Sequence, residues 1–199
     1  MSYQRPLAAQ PSIAVYMAIL GGCAVLFAGR PAHADPAILV QQAKVTANDP
    51  TTLASLGWSV AISGDIAVGG APDYSFSSPG SAYVFVRSGT SWSEQQKLTP
   101  AEGAAGDAFG ASVSISGDSI VVGAPFDDDA GNTSGSAYVF VRSGTTWSQQ
   151  QKLTPNDPAP DTLFGFSVAI SGDTAVVGSW GASNGSYASG AAYVFLRSG

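Results

Sequence analysis

The densest set of oxygen ligands in the chain is Asp127-Asp128-Asp129 with Asn132. Hard cations such as calcium are held by carboxylate and amide oxygens, so this stretch is a candidate for one weak calcium site. A solvated acidic turn is the alternative, because Gly131 falls where an alternating pattern would place a ligand. The equivalent stretches elsewhere offer Asp73 in one case and no acid in the other. No other cofactor is expected. A second set of carboxylates, Asp65, Asp118 and Asp173, closes three identical Ser-Gly-Asp triplets. Such triplets are expected to be tight turns whose carboxylates cap the local backbone. Glycoside chemistry needs two carboxylates about 5 to 10 Å apart, and nothing singles out a pair. Gly165-Phe166-Ser167-Val168 has the outline of a nucleophile elbow, yet Gly-x-Ser recurs as Gly57-Trp58-Ser59 and Gly110-Ala111-Ser112. The single histidine is His33 and the single cysteine Cys23. Beyond residue 34 a Ser-His-acid triad has no base and an ordinary zinc site no nitrogen or sulfur ligand. The chain is therefore read as no enzyme.

What remains is binding chemistry. Trp92 and Trp147 occupy one repeated position, 55 residues apart, and are expected to pack between repeats. Trp58 and Trp180 do not repeat, which makes them, with Asp73 and Tyr74, the candidate ligand contacts. Tryptophan and tyrosine offer a large apolar face with a polar edge, suited to sugars and protein side chains.

The elements that position these residues are repeats. Leu56-Gly57-Trp58-Ser59-Val60-Ala61-Ile62-Ser63-Gly64-Asp65 returns as Phe109 to Asp118 and again as Phe164 to Asp173. Gly57 and Gly110 are 53 residues apart, Gly110 and Gly165 are 55 apart, and Tyr83, Tyr138 and Tyr193 keep an even 55. Variation confined to one loop is the mark of stacked supersecondary units. Within a unit, Ser167 to Ile170 alternates as a half-buried strand does, and Thr174 to Gly178 is nearly all apolar, as a doubly buried strand is. Ser136 to Val141 sets aromatics on one face. The stretch from Trp147 to Leu153 is more polar, suits an outer edge, and stops before Pro155. With 24 glycines, 12 prolines and only 11% charged residues, short strands and tight turns are favoured over solvated helices. The predicted fold class is all-β: a propeller of four-stranded antiparallel blades.

Phe109-Gly110, Gly123-Ala124-Pro125 and Gly135-Ser136-Ala137-Tyr138-Val139-Phe140 closely resemble FG-GAP repeats, the blades of integrin α-subunit propellers and of many bacterial secreted proteins. The resemblance runs from about residue 41 to 199. The copies depart from the pattern where Leu56 replaces Phe and where Ser179-Trp180 stands in place of Ala-Pro. The family implies surface binding or scaffolding.

The organisation expected is an export signal over 1–34, an outer strand within 35–55, and repeats over 56–108, 109–163 and 164–199, the last lacking its fourth strand. The signal is read from Arg5, the uncharged run Ile13 to Ala28, and Ala32-His33-Ala34 before Asp35-Pro36. The run is short of the about 20 residues a spanning helix needs. Cleavage after Ala34 is expected, with lipid attachment at Cys23, in Leu20-Gly21-Gly22-Cys23, as the weaker route. Secreted, periplasmic or surface placement follows, with no membrane span after cleavage. The remaining chain has six basic and fourteen acidic residues, a net charge of −8. Nucleic acid is therefore a poor partner, and a protein or carbohydrate is expected instead. Asn132-Thr133-Ser134 and Asn184-Gly185-Ser186 match the glycosylation pattern.

Gln42-Ala43-Lys44-Val45-Thr46-Ala47-Asn48-Asp49-Pro50 parallels Gln150-Gln151-Lys152-Leu153-Thr154-Pro155-Asn156-Asp157-Pro158. Strand types therefore run D-ABCD-ABCD-ABC. Three blades are fewer than the four or more of known rings. Further blades in a longer protein, or self-association through open blade edges into a six-bladed ring, are both expected routes. The variable loops Asp73–Pro79, Phe126–Ser134 and Gly181–Ser189 are expected to form the contact surface. The competing functions are a propeller segment of a secreted hydrolase or lyase, and a structural spacer of a surface protein.

Overall fold

The computed structural model describes residues 39–49, 55–183 and 189–198. The expected signal over 1–34, with Cys23 and His33, and the Asn184 glycosylation pattern lie outside the described residues. Three antiparallel sheets follow one another along the chain. The first contains β1 (Ser59–Ser63), β2 (Ile66–Ala71), β3 (Ser81–Ser88) and β4 (Ser91–Leu98) in that order. The second repeats it with β5 (Ser112–Ser116), β6 (Ser119–Ala124), β7 (Ser136–Ser143) and β8 (Thr146–Leu153). The third has three strands: β9 (Phe164–Ser171), β10 (Thr174–Ser179) and β11 (Ala191–Leu196). All three sheets belong to one unit, residues 42–199. This is an all-β arrangement of blade-like sheets not closed into a barrel. Among the described residues no helix is long and apolar enough to cross a membrane.

Sequence and burial agree in the second sheet, whereas in the third the equally apolar β10 alternates half-buried and buried positions, and in the first β1 leaves Val60 and Ile62 exposed. In the second sheet β6 is buried at every position, as its apolar run Ile120-Val121-Val122 requires. β4 and β8, the polar strands, lie at sheet edges, and each meets its neighbour through a register shift at one place, Val84/Phe85 and Val139/Phe140. Such bulges increase twist and blunt an edge.

The sheets pack face to face. Val68, Ala82, Val84 and Leu98 of the first meet Val113, Ile115, Val122 and Phe140 of the second in one core. Val121, Ala137 and Leu153 of the second meet Phe164, Ala175 and Val177 of the third in another. Trp147 is buried in the first of these interfaces, with its backbone N–H on Gln96 Oε1 at 2.7 Å and its indole N–H on Gln95 Oε1 at 3.0 Å. The repeated tryptophan thus packs between sheets as expected, whereas Trp92 is half-buried under Arg87, 5.7 Å from the ring centroid.

The motif residues have a steric reason. Phe109 lies edge-on to Tyr138 and Phe140 at 5.5 and 5.9 Å, and its N–H donates to Pro79 O of the preceding repeat at 2.7 Å. The backbone of Gly110 then comes so close that a Cβ on Gly70 would lie 2.0 Å from Gly110 O. At the next interface a Cβ on Gly123 would lie 1.9 Å from Gly165 O. Glycine is the residue that permits this approach.

Two expectations are corrected. Residues 39–47 form no strand: the sheet they lead into already has its fourth strand in β4, and the third sheet, the one short of a fourth strand, has none of them paired to β11. The segment is nonetheless placed by its end, where Asn48 N–H donates to Glu94 Oε2 at 2.7 Å. Asp65 and Asp118 do not cap their own turns. They accept from Arg87 Nε and Arg142 Nε at 2.7 Å, and Asp173 pairs with Arg197 at 3.5 Å, tying each first turn to the end of the third strand.

A candidate binding face at the loop end of the sheets

The two ends of the sheets differ. At one, short Ser-Gly-Asp turns are neutralised by Arg87, Arg142 and Arg197. At the other, where first strands begin and second strands end, lie the longer loops, most of the acidic residues and the unrepeated aromatics.

Trp58 enters β1 behind Gly57, whose φ of 94° turns the chain into the strand. It meets Tyr74, from the loop after β2, with centroids 4.9 Å apart. Tyr74 in turn lies 6.1 Å from Phe126, which leads out of β6 in the neighbouring sheet. On the third sheet Phe166 and Trp180 form a second pair at 6.2 Å. Trp58 and Trp180 remain 59% and 56% exposed, too open for side chains whose task is core packing. The structure therefore joins two of the sequence candidates, Trp58 and Tyr74, and gives Trp180 a different partner. Phe126 begins one of the loops expected to make contacts, whereas Phe166 was missed because it reads as part of a repeated motif. The available signal was that Ala111 fills the Phe166 position in the second repeat, so no packing rule demands an aromatic there.

The acidic candidates are engaged in building the face. Asp73 accepts hydrogen bonds from Ser75 Oγ at 2.5 Å, Ser78 Oγ at 2.7 Å, Ser77 Oγ at 2.8 Å and Ser75 N–H at 2.8 Å, and these donors, the Ser75 hydroxyl foremost, hold its carboxyl far below the usual range. It lines a cavity of about 250 Å³ with Gly80, Tyr83 and Lys97. Asp127 is buried; it accepts from Tyr138 Oη at 2.8 Å and pairs with Lys152 at 2.8 Å. Burial, with the Asp127 charge against it, pushes the Tyr138 hydroxyl far up. Asp129 pairs with the same Lys152. Asn132 Nδ2 donates to Asp161 Oδ1 at 3.1 Å, and Asp128 is exposed. Of the four calcium candidates, Asp127 and Asp129 thus share Lys152 while Asn132 turns to Asp161, and among the described residues no group of three or more His, Cys, Asp or Glu is arranged to hold a metal ion.

Nor is the Phe126–Ser134 stretch a free contact loop. Asp127 and Ser134 are buried in it, and Asp127 O accepts from Gly135 N–H at 2.8 Å. Its surface part is Asp128 to Thr133.

Among solved structures, the chain is similar to the computationally designed Ika4 protein, at 15% identity and a TM-score of 0.35, over 74% of this chain and 94% of that one. No curated protein matches. The family model described as FG-GAP repeat matches residues 39–85, 92–140 and 147–195, each unit running from an outer-strand segment into a third strand. With these three matches spanning most of its length, the chain belongs to the FG-GAP repeat family.

Proposed function

We propose that this protein is an exported, non-catalytic binding module that presents the loop end of its sheets to a carbohydrate or protein ligand outside the cytoplasm. The FG-GAP repeat is a non-catalytic scaffold. The single observation that carries the reading is a set of aromatics at one end of neighbouring sheets, in which exposed Trp58 meets half-buried Tyr74 and Phe126, and exposed Phe166 meets exposed Trp180. Ring faces stack on the apolar faces of sugars or on partner side chains. The flanking carboxylates and hydroxyls of Asp128, Asp129 and Ser75 add acceptors for sugar hydroxyls or for a basic peptide.

The test is ligand capture by the purified chain on an array of glycans and on surface-protein extracts, repeated with Trp180→Ala and with Trp58→Ala. Since stacked aromatics are typical hot spots, each substitution should weaken capture by about 2 kcal/mol, with unchanged circular dichroism. Equal capture by all three proteins would refute the assignment of this face.

A further inference from the structure

Three kinds of contact between neighbouring sheets occur twice in the chain, at the same repeat positions. Ser59 Oγ donates to Gly110 O at 2.9 Å, and Ser112 Oγ donates to Gly165 O at 2.7 Å. Gly117 N–H donates to Ser63 Oγ and Gly172 N–H to Ser116 Oγ, at 3.2 and 3.1 Å. Single parallel bridges join Gly80 to Phe109 and Gly135 to Phe164. The next member of each series has one half on the third sheet, as Ser167, Ser171 and Gly190, and the other on the first, as Gly57, Gly64 and Leu56. Gly57 shares the left-handed φ of Gly110 and Gly165, yet nothing lies within 4 Å of where its Cβ would be, whereas theirs would meet Ser81 O and Ser136 O.

The apolar faces match in the same way. Val113 and Ile115 are each 8% exposed under the first sheet, while their counterparts Val60 and Ile62 are 73% and 65% exposed. Val84 is buried under the second sheet, while its counterpart Val194 on the third is exposed, as is Leu196. One open face therefore has the composition that receives the other.

A polar cluster completes the correspondence. In the first sheet Tyr83 Oη and Lys97 Nζ both donate to Asp49, at 2.9 and 2.7 Å, and the ammonium lies 5.4 Å from the Tyr83 ring centroid. In the second, Tyr138 and Lys152 share Asp127 with the ammonium at 5.5 Å. In the third, Tyr193 and Asp157 line one cavity, where burial and that carboxylate push the Tyr193 hydroxyl up, and among the described residues the β11 edge has no fourth strand to bring a lysine. The lysine at the position of Lys97 and Lys152 is Lys44, exposed on the 42–47 segment, which itself has no sheet to join. The family unit likewise begins with this segment.

We propose that a second copy of this chain docks head-to-tail on the third sheet. Its residues 42–47 add to β11 as the fourth strand, with Lys44 on the Asp157–Tyr193 pair, and its first sheet covers Val194 and Leu196. The interface is heterologous, so a rotation that closes gives a finite assembly. Two copies carry six sheets, within the roughly four to eight of closed propellers.

The register follows from Ala82 opposite Leu98 and Ala137 opposite Leu153, which sets Ala192 opposite Val45. Opposed residues in antiparallel strands lie about 4.5 to 5.5 Å apart at Cα, inside the disulfide range. The experiment uses the full chain with Cys23→Ser. Light scattering over a concentration series should give the mass of two chains. Lys44→Glu, at an exposed position, should leave circular dichroism unchanged and weaken association at least about tenfold by opposing like charges. A mixture of Val45→Cys and Ala192→Cys chains should form a disulfide between chains under mild oxidation. The proposal is overturned by a one-chain mass with no cross-link in the mixture, or by a double variant that links only within one chain. Mass that grows without limit overturns the closed pair.

Discussion

Lys152 shows how one side chain serves both structure and charge. Its ammonium, 17% exposed, pairs with Asp127, whose side chain is 2% exposed. Burial opposes the charge, but the hydrogen bonds to Asp127 and Asp129 outweigh it and raise the Lys152 pKa above 10.5. A raised lysine pKa contributes stability that is complete below the unfolded value and is lost as pH rises through the folded one. Tyr138, raised from 10.0, acts in the same direction. Melting temperature should therefore fall from about pH 10 upward. Lys152→Met, which strands a buried carboxylate, should cost about 3 to 5 kcal/mol at neutral pH, and denaturant titrations at pH 7 and 11 should show that difference shrinking. Because Lys152 already occupies Asp127 and Asp129, calcium is expected to leave the melting temperature unchanged; a rise of several degrees would show that the ion displaces it.

At the scale of elements, the contact between sheets depends on glycine. Gly123→Ala would drive a Cβ to 1.9 Å from Gly165 O, and a cost of about 3 kcal/mol, high for overpacking, is expected. Gly117 lies in a turn with φ 55° and nothing within 4 Å of its Cβ position, so Gly117→Ala should cost only the left-handed strain of about 1 to 2 kcal/mol. Equal losses in urea titrations would show that close approach is not what selects glycine in the motif. Trp147→Ala removes a buried indole and its bonds to Gln95 and Gln96, and a loss of about 3 to 5 kcal/mol follows.

At the scale of the whole molecule, among the described residues the second sheet has a neighbouring sheet on both faces, while the first and third have one each. Amide exchange should accordingly be slowest in β6 and β7 and fastest in β9 to β11, since local opening follows local burial. Docking of a second copy would slow exchange in β11 above all, so protection there should rise with protein concentration. The aromatic face spans all three sheets: Tyr74 and Phe126 come from neighbouring ones, and Phe166 and Trp180 from the third. Its ligand affinity should therefore fall when any one interface is broken, even by substitutions far from the aromatics.

The sheets were legible in the chain because a repeated period, an apolar second strand and a polar fourth strand are local patterns that burial alone must satisfy. Phe109-Gly110 and Gly123-Ala124-Pro125 fixed the family for the same reason. Partners were not legible. Asp65 against Arg87, Asp127 against Tyr138 and Lys152, and Trp180 against Phe166 are meetings between positions distant in sequence, and only the stacking of one sheet on the next decides them. In the acidic run that reads as calcium chemistry, Asp127 is buried against Tyr138 and Lys152 while Asp128 and Asp129 stay exposed, a division that the pairing of a distant lysine makes. The 42–47 segment had the sequence of a strand but not the edge to pair with, and a strand exists only where another backbone offers its hydrogen bonds.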